Sequence, residues 1–390
     1  MNSQELLNSF REKILKSKKP FLFHDCDCDG TFSYLQLKTF NKNLTASSIS
    51  KTRKVQIRTF EEYVMEDHDL IIFFDTPHIE VDLIRELQTQ QPQREILIVD
   101  HHENKLQPLV DKYNLFYFNP LHFDSTDSRP SCFWAHEITQ LEENLSLAVI
   151  GSVSDFFLLS LIKDLREQDE RLFNILFSFS QEKRDEILEF IENYTFNDPI
   201  VQEKRAKLIQ SIFYETNLGK IRALVDFIFK LRHEDHREAI SIVEKSSYED
   251  LLISIEAGQG FLFEDFDAFQ NKQKKIIKKA LEKNKGKEFV IFEHRGKTSY
   301  NRQLSEELLY RIPEAKVMWL IFKKMDSDWT SCSFRARHPY IINTPISESL
   351  EGLTGQGGGH PQSGGCAVHS KDFDIFKERF EKKVNDQLFS

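Results

Sequence analysis

The sequence predicts an α/β protein with an open, mostly parallel amino-terminal sheet flanked by helices, a helical connector, and a smaller carboxyl-terminal α/β part with a mixed sheet. Two observations support this fold class. Strand-like runs return after residue 286, and short, nearly continuous apolar runs occur earlier, at 21–25, 70–75, 96–100 and 115–118. Such runs are typical of parallel strands buried on both faces, and the amphipathic stretches between them are typical of crossover helices.

The character of the sequence changes near residues 160 and 285. Between them there is one proline, Pro199, with dense charge and apolar residues at helical spacing. After residue 286 the predicted strands are 287–294, 316–324 and 329–338, with a helical pattern at 305–312. We therefore predict a first domain, a helical connector and a second domain, at 1–160, 161–285 and 286–390.

Charge and cysteine content exclude several classes of protein. A net charge of -10 argues against a protein that coats duplex DNA with a broad basic face. A nuclease with a local basic pocket remains compatible, because residues 286–340 carry ten Lys and Arg against seven Asp and Glu. The five scattered cysteines contain no C-x-x-C pair, which disfavours a zinc ribbon or a disulfide scaffold. With no long apolar span, we expect a cytoplasmic protein without a membrane segment.

Three of the four early apolar runs end on an aspartate, namely Asp25, Asp75 and Asp100. In open parallel sheets the ligand crevice lies beyond the carboxyl ends of the strands, so these acids are expected to converge. A single aspartate at such a position is commonly a turn former or a helix cap. Three of them, with the neighbours described next, favour a functional site.

The stretch DCDCDG places Asp25, Asp27 and Asp29 at alternate positions. Carboxylates this close repel one another unless a cation lies among them. If the stretch is extended, the three acids share one side of the chain, and Gly30 permits a sharp turn into the next helix. An EF-hand loop is excluded because Gln36 occupies its twelfth position, where a bidentate glutamate is required.

Two histidines follow the third of these strand-end aspartates, giving Asp100, His101 and His102. Adjacent histidines on a strand point in different directions, so we expect at most one to bind a metal. The other could face a phosphate, and Asp100 could orient an imidazole. Asp155 follows a further apolar stretch and is predicted at a helix start, where capping is an alternative role. Carboxylates with one or two imidazoles suit Mn²⁺ or Mg²⁺.

These motifs resemble the DHH phosphoesterase superfamily, named for the triplet found at 100–102. The family's first motif matches DCDCDG, its second the Asp75 of FFDTPH, and its fourth the Asp155 of GSVSD. GGGHP at 357–361, after SFRAR at 333–337, is similar to the DHH-associated carboxyl-terminal domain. Much of the family has a histidine where this chain and the RecJ-like members carry the first aspartate. His24 is a neighbour of that position but not a clear match.

The resemblance implies a site for two ions, usually Mn²⁺ with Mg²⁺ as the alternative, about 3.5–4 Å apart. The ligands it implies are Asp25, Asp27, Asp29, Asp75, His101 and Asp155. His102 would contact the phosphate as an electrophile or general acid, with Asp100 supporting it. Substrate phosphates would bind a glycine-rich loop and its neighbours, namely Arg335, Gly357, Gly358, Gly359 and His360.

The function that the resemblance implies is a Mn²⁺-dependent exonuclease releasing mononucleotides from short single-stranded RNA or DNA, as in the nano-RNase branch. The sequence carries no signal for sugar preference, polarity or oligomeric state. Three alternatives stay open: a RecJ-like single-stranded DNA exonuclease, a phosphodiesterase for linear or cyclic dinucleotides, and a non-catalytic binding module. No segment reads clearly as an added OB-type barrel, and GGGHP disfavours a pyrophosphatase.

Overall fold

The structure is a computed structural model with two compact units, Met1–Gly260 and Phe261–Ser390. It describes residues 2–49, 67–76, 79–102, 110, 112–127, 129–155, 157, 159–192, 208, 210–231, 236–246, 250–251, 263–296 and 299–389. The first unit contains a parallel sheet with flanking helices and the second contains a mixed sheet, which confirms the predicted fold class. The functional division at residues 160 and 285 stays a prediction.

The first unit is built on a five-stranded parallel sheet with the order β2-β1-β3-β4-β5. Its strands are β1 (Pro20–Asp25), β2 (Thr45–Ile49), β3 (Leu70–Phe74), β4 (Glu95–Val99) and β5 (Leu115–Phe118). All four strands predicted for this region are present. The strand order reverses between β1 and β3, so the carboxyl ends of these two strands open a crevice of the kind that binds ligands in such sheets.

Helices flank this sheet, and further helices follow its last strand, β5, along the chain. In the described part of the unit they are α1 (Ser3–Lys16), α2 (Cys28–Phe40), α3 (Val81–Gln90), α4 (Ser131–Thr139), α5 (Leu145–Val153), α6 (Leu159–Gln168), α7 (Glu170–Leu176), α8 (Gln181–Glu192), α9 (Asn217–Leu231) and α10 (His236–Lys245). Alternate residues of β1, β3 and β4 pack with the buried leucine and isoleucine side chains of α3. Helices α2, α4 and α5 pack against one another, which brings the starts of α2 and α4 together.

The second unit is a five-stranded mixed sheet with the order β6-β7-β8-β10-β9. Its elements are α11 (Phe263–Asn284), β6 (Phe289–Gly296), α12 (Asn301–Arg311), β7 (Val317–Lys324), β8 (Trp329–Ala336), α13 (Asn343–Leu350), β9 (Gly355–His360), β10 (Ser363–His369) and α14 (Phe373–Phe389). Strands β6 and β7 are parallel and the other neighbours are antiparallel. Trp319 is fully buried and packs against Phe334, Phe376 and Phe380.

The glycine-rich stretch differs from its predicted form. It forms the antiparallel hairpin of β9 and β10, and β9 is the edge strand of the sheet. Gly359 has a φ of 147°, and a Cβ there would lie 2.2 Å from the Ser363 carbonyl oxygen. A Cβ on Gly357 would lie 2.4 Å from the Cys366 Cβ. These glycines therefore allow two backbones to approach closely in a hairpin rather than form a loop.

None of the helices in the described ranges is both long and apolar enough to span a membrane.

Candidate metal and catalytic site

Three strand ends bring buried aspartates to one edge of the first sheet. Asp25 is the last residue of β1, Asp75 directly follows β3, and Asp100 directly follows β4. All three are buried. Ligand oxygens of Asp25 and Asp75 lie within 4.8 Å of each other and of an oxygen of Asp27. The convergence expected from parallel strands is therefore seen at the switch point of the sheet.

The DCDCDG stretch is not extended throughout, in contrast to the prediction. Strand β1 ends at Asp25 and helix α2 begins at Cys28, so Asp29 lies in the first helical turn. Asp27 is the N-cap residue, and its Oδ1 accepts a hydrogen bond from the Gly30 amide at 3.2 Å. A Cβ on Gly30 would lie 2.5 Å from the Asp25 carbonyl oxygen, so glycine lets the helix pass close to the strand end. As a result Asp25 and Asp27 belong to one group of potential metal ligands, and Asp29 belongs to another.

Asp29 is held by the amino terminus of α4. Its Oδ2 accepts a hydrogen bond from the Ser131 amide at 2.9 Å, and its Oδ1 accepts one from the Cys132 amide at 2.6 Å. The first amides of a helix have no partner within the helix and favour negative charge, so they suit a carboxylate. Burial, followed by the charges of Asp75 and Asp155, raises the pKa of Asp29 well above its usual range.

The imidazole of His101 lies among three carboxylates from three segments. Its Nε2 is 3.1 Å from Asp155 Oδ2, 3.4 Å from Asp75 Oδ1 and 3.7 Å from Asp29 Oδ2. Burial lowers the pKa of His101, but the hydrogen bonds and charges of Asp155 and Asp75 outweigh it and raise the pKa well above its usual value. The surroundings of this nitrogen therefore favour positive charge, carried by a proton or by a metal ion.

Asp155 follows a helix end, whereas the sequence predicted it at a helix start. It comes two residues after the end of α5 at Val153, in a turn, and not at a helix start. N-terminal capping is therefore not its role, and its carboxylate is directed to His101.

His102 shares one acid, Asp75, with His101 and contacts a second, Asp100. Its Nδ1 is 2.9 Å from Asp100 Oδ1 and 3.7 Å from Asp75 Oδ1, and the two imidazole centroids are 4.3 Å apart. Strand β4 has ended at Val99, so the side-chain alternation of a strand does not separate the two rings. Asp75 itself has a φ of 56°, in the left-handed region that aspartate enters more readily than most residues.

Three groups of side chains in the described ranges have ligand atoms close enough to hold a cation. They are Asp25, Asp27 and Asp75; Asp29, His101 and Asp155; and Asp75, His101 and His102. Together they contain all six side chains that the family resemblance implies as ligands, plus His102. Carboxylate oxygens with imidazole nitrogens form a donor set that fits Mn²⁺ or Mg²⁺. The binding of metal by these residues stays a prediction.

Some contributors to the site were not identified from the sequence. The Ser131 and Cys132 amides hold Asp29, and the Asn119 side-chain amide donates to the His102 carbonyl oxygen at 2.8 Å. His24 is fully buried, with Nδ1 2.7 Å from the Asp25 carbonyl oxygen and its ring stacked on Tyr34. A backbone amide has no signature in the sequence. In the sequence, only Pro130 indicates that a helix begins near residue 131.

The predicted substrate-binding residues belong to the second unit. Arg335 Nη2 is 2.5 Å from Glu306 Oε1, and its Nη1 donates to the Phe334 carbonyl oxygen at 2.8 Å. Gly357, Gly358 and Gly359 lie on edge strand β9. The backbone of His360 ends β9, whereas its side chain lies outside the described part of the chain. Phosphate binding by these residues stays a prediction.

Comparisons with known proteins give similarity in structure but not in sequence. No protein-family model and no curated protein matches the sequence. RecJ from Thermus thermophilus in complex with Mn²⁺ has a TM-score of 0.62 and 13% identity, covering 99% of this chain and 55% of RecJ. A manganese-bound exonuclease RecJ has a TM-score of 0.58 and 13% identity, covering 99% of this chain and 95% of that protein.

A third solved structure is the DHH domain of a protein described as a member of a ribosomal-protein family. Its TM-score is 0.56 at 16% identity, and the match covers 98% of this chain and 92% of that domain. The chain thus spans about half the length of the Thermus RecJ and nearly the full length of the other two. The fold is that of RecJ and other DHH proteins, as the motifs predicted.

Proposed function

Because the chain has the fold of RecJ and other DHH proteins, we propose that it is a metal-dependent phosphodiesterase releasing mononucleotides from short single-stranded oligonucleotides. The observation that carries this proposal is the position of His101 Nε2, which lies within 3.7 Å of carboxylate oxygens of Asp29, Asp75 and Asp155. Such a concentration of buried negative charge around one imidazole suits divalent cations.

Two metal ions would be held by Asp25, Asp27, Asp29, Asp75, His101 and Asp155. Bound there, Mn²⁺ or Mg²⁺ would supply Lewis acidity toward the scissile phosphate. Both RecJ proteins were solved with manganese, and the Thermus protein also with Mg²⁺.

His102 is the residue that we propose acts on the phosphate. The fully buried Asp100 carboxylate accepts a hydrogen bond from His102 Nδ1, which fixes the ring and leaves Nε2 for the substrate. From Nε2 the imidazole would donate a hydrogen bond to a phosphate oxygen or a proton to the leaving oxygen. Asp100 is then a positioning residue, and His102 is the catalytic one.

The second unit would bind the oligonucleotide. Glu306 fixes the guanidinium of Arg335, and the side-chain-free backbone of Gly358 has open space beside it. We assign substrate binding to Arg335, Gly357, Gly358, Gly359 and His360. The overall charge of -10 favours short substrates, which present few phosphates and need only a local basic area. The predicted cytoplasmic location is compatible with such substrates.

Hydrolysis of end-labelled RNA and DNA, from dinucleotides to long single strands, tests the proposal. The reactions contain Mn²⁺, Mg²⁺ or a chelator. We compare the wild type with His101→Ala and, as a matched control, with His68→Ala, because His68 lies just before β3 at the opposite end of the sheet. We expect metal-dependent release of mononucleotides, fastest for the shortest RNAs, to be lost in His101→Ala and kept in His68→Ala.

Other outcomes select the alternatives. Efficient digestion of long single-stranded DNA would favour a RecJ-like exonuclease, which the two RecJ similarities support as the second candidate. Cleavage restricted to dinucleotides would favour a dinucleotide phosphodiesterase. Absence of metal-dependent cleavage of every substrate would refute an enzymatic role and leave a binding module.

A further inference from the structure

One segment connects two sides of the candidate site. At its start, Asn119 donates a hydrogen bond to the carbonyl oxygen of His102. At its end, the amides of Ser131 and Cys132 hold Asp29. The described residues between these anchors, 120–127, 129 and 130, connect two parts of the chain that contact the acid and histidine cluster, and we call them the rim segment.

Phe123 is the exposed apolar aromatic ring of this rim segment. It follows a 3₁₀ turn at Pro120–His122, and 47% of the residue is accessible to solvent. Its ring stacks on Phe118, which is fully buried at the end of β5, with centroids 5.7 Å apart and an interplanar angle of 26°. The exposed large apolar side chains of the first unit, among residues that the structure describes, are Leu15, Val81, Phe123 and Ile175. Only Phe123 is aromatic.

The backbone around Phe123 is held by hydrogen bonds. Asn119 Oδ1 accepts from the Leu121 amide at 3.0 Å, and the Phe123 amide donates to the Pro120 carbonyl oxygen at 2.9 Å. Asp124 Oδ1 accepts from both the amide and the hydroxyl of Thr126. The backbone that carries the ring is therefore ordered and the ring packs on Phe118, which lowers the entropic cost of binding a ligand.

The charged side chains of this segment are Asp124, Asp127 and Arg129, and two of them form an ion pair. Asp127 is paired with Arg129 through two carboxylate oxygens, at distances of 2.5–3.1 Å. The Arg129 guanidinium lies 4.2 Å from the centroid of Trp134, and the edge of Trp134 packs on Phe118. Arg129 thus neutralises Asp127 while lying against the aromatic surface, and the exposed Asp124 adds a negative charge next to Phe123.

We infer that Phe123 is a base-stacking platform, on which the nucleobase next to the scissile phosphate packs against the exposed face of the ring. This inference rests on the proposed function and makes its substrate class more specific. Every nucleobase has a flat π face, so stacking tolerates any base sequence. Stacking on Phe123 would favour nucleotides over phosphodiesters that lack a base and over inorganic pyrophosphate.

A double-mutant cycle between enzyme and substrate tests the inference. The substrates are two trinucleotides that differ only by an abasic residue next to the scissile phosphate. The enzymes are the wild type, Phe123→Leu and Phe123→Trp. Stacking on an aromatic side chain is worth about 1–3 kcal/mol per base, or about 5–150-fold in affinity. For one exposed ring face we expect the low end of that range.

In the wild type we expect the abasic substitution to raise KM about 5–20-fold, with kcat changed less. In Phe123→Leu the two substrates should have similar KM values, and Phe123→Trp should restore the difference. Leu15→Ala is the matched control, because it also removes exposed apolar surface but lies in the last turn of α1, before the amino end of β1. It should behave as the wild type.

A second measurement does not depend on cleavage. Fluorescence of 2-aminopurine riboside monophosphate should be quenched on binding to the wild type and to Phe123→Trp, and not to Phe123→Leu. An equal loss of affinity for both trinucleotides in Phe123→Leu, or equal quenching by all variants, would overturn the base-stacking role alone. If the wild type cleaves no oligonucleotide, the proposed function fails, and the fluorescence result still decides the role of Phe123.

Discussion

At the scale of residues, the candidate site contains a buried acid paired with a histidine. Asp100 Oδ1 and His102 Nδ1 are 2.9 Å apart, and the same nitrogen is 3.7 Å from Asp75 Oδ1. The shorter contact determines which way the ring is held. Asp75 contacts both histidines, whereas Asp100 belongs to none of the groups of potential metal ligands found in the described residues.

Asp100→Asn tests this division of roles. The amide has nearly the shape of the carboxylate but is an uncharged and weaker acceptor for the hydrogen bond from His102 Nδ1. We expect kcat to fall about 10–100-fold, the usual effect of removing a partner that orients a functional histidine. The affinity for Mn²⁺, measured by titration calorimetry, should change much less. Asp82→Asn, on the exposed part of α3, is the control. A matching loss of metal affinity would instead place Asp100 among the ligands.

At the scale of elements, the start of α4 acts as a binding partner for Asp29. Ser131 is the first residue of the helix, and Pro130 before it has φ -70° and ψ 165°, an extended conformation that a following proline tolerates. Proline is also well accepted at the first position of a helix. The amide that binds Asp29 Oδ2 can therefore be removed without breaking the helix.

We predict that Ser131→Pro weakens Mn²⁺ binding about tenfold or more, because Asp29 loses a charge-assisted hydrogen bond that fixes its orientation. The matched control is Ser131→Ala, which removes only the hydroxyl that lies 3.4 Å from Asp75 Oδ1. Metal affinity and circular dichroism are measured for both variants. If Ser131→Ala is as damaging as Ser131→Pro, the hydroxyl and not the amide is the important group.

At the scale of the whole molecule, we expect the buried cluster to couple folding to pH and, through its proposed ligands, to metal. The pKa of Asp29 and that of His101 are both raised above their usual values in the absence of metal. A group whose pKa is raised on folding contributes stability below its unfolded pKa and loses that contribution as the pH rises through its folded pKa. For these groups the loss begins above about pH 4 and about pH 6.5, respectively.

We therefore predict that the metal-free protein loses stability as the pH rises from about 6 to about 8, relative to the protein with Mn²⁺. Metal binds the deprotonated ligands, so it replaces the protons more effectively at the higher pH. Thermal unfolding with a chelator or with Mn²⁺ measures this effect. At a hundredfold excess over Kd, metal adds about 2.7 kcal/mol to the free energy of unfolding. A metal-induced rise in Tm that is equal at both pH values would contradict the coupling.

The sequence predicted the strands that carry the site because each is a short apolar run, and the strand observed at Leu115–Phe118 has the predicted bounds. It missed β2, whose residues TASSI include only one large apolar side chain, and the β9–β10 hairpin, whose glycines rarely form strands. In both cases pairing with neighbouring strands overrides the local preference.

The sequence predicted only part of the candidate site, because local patterns do not show contacts between distant segments. Acids at the ends of parallel strands must converge, so Asp25, Asp75 and Asp100 could be grouped from sequence alone. The alternation of Asp25, Asp27 and Asp29 was misleading, because α2 begins at Cys28 and turns Asp29 toward α4. The interaction of Asp29 with Ser131 joins residues far apart in sequence through a backbone group that every residue except proline possesses.

The spread of the cluster along the chain has a consequence for biosynthesis. Its members are drawn from Asp25 to Asp155, and β1 must be flanked by β2 and β3 before its acids are in place. At about 5–20 residues per second, a ribosome takes on the order of ten seconds to translate this span. During that time the nascent chain displays an incomplete set of acids. The proposed set of ligands is complete only after Asp155 has left the exit tunnel, so full loading with the proposed ions would follow the synthesis of the amino-terminal half.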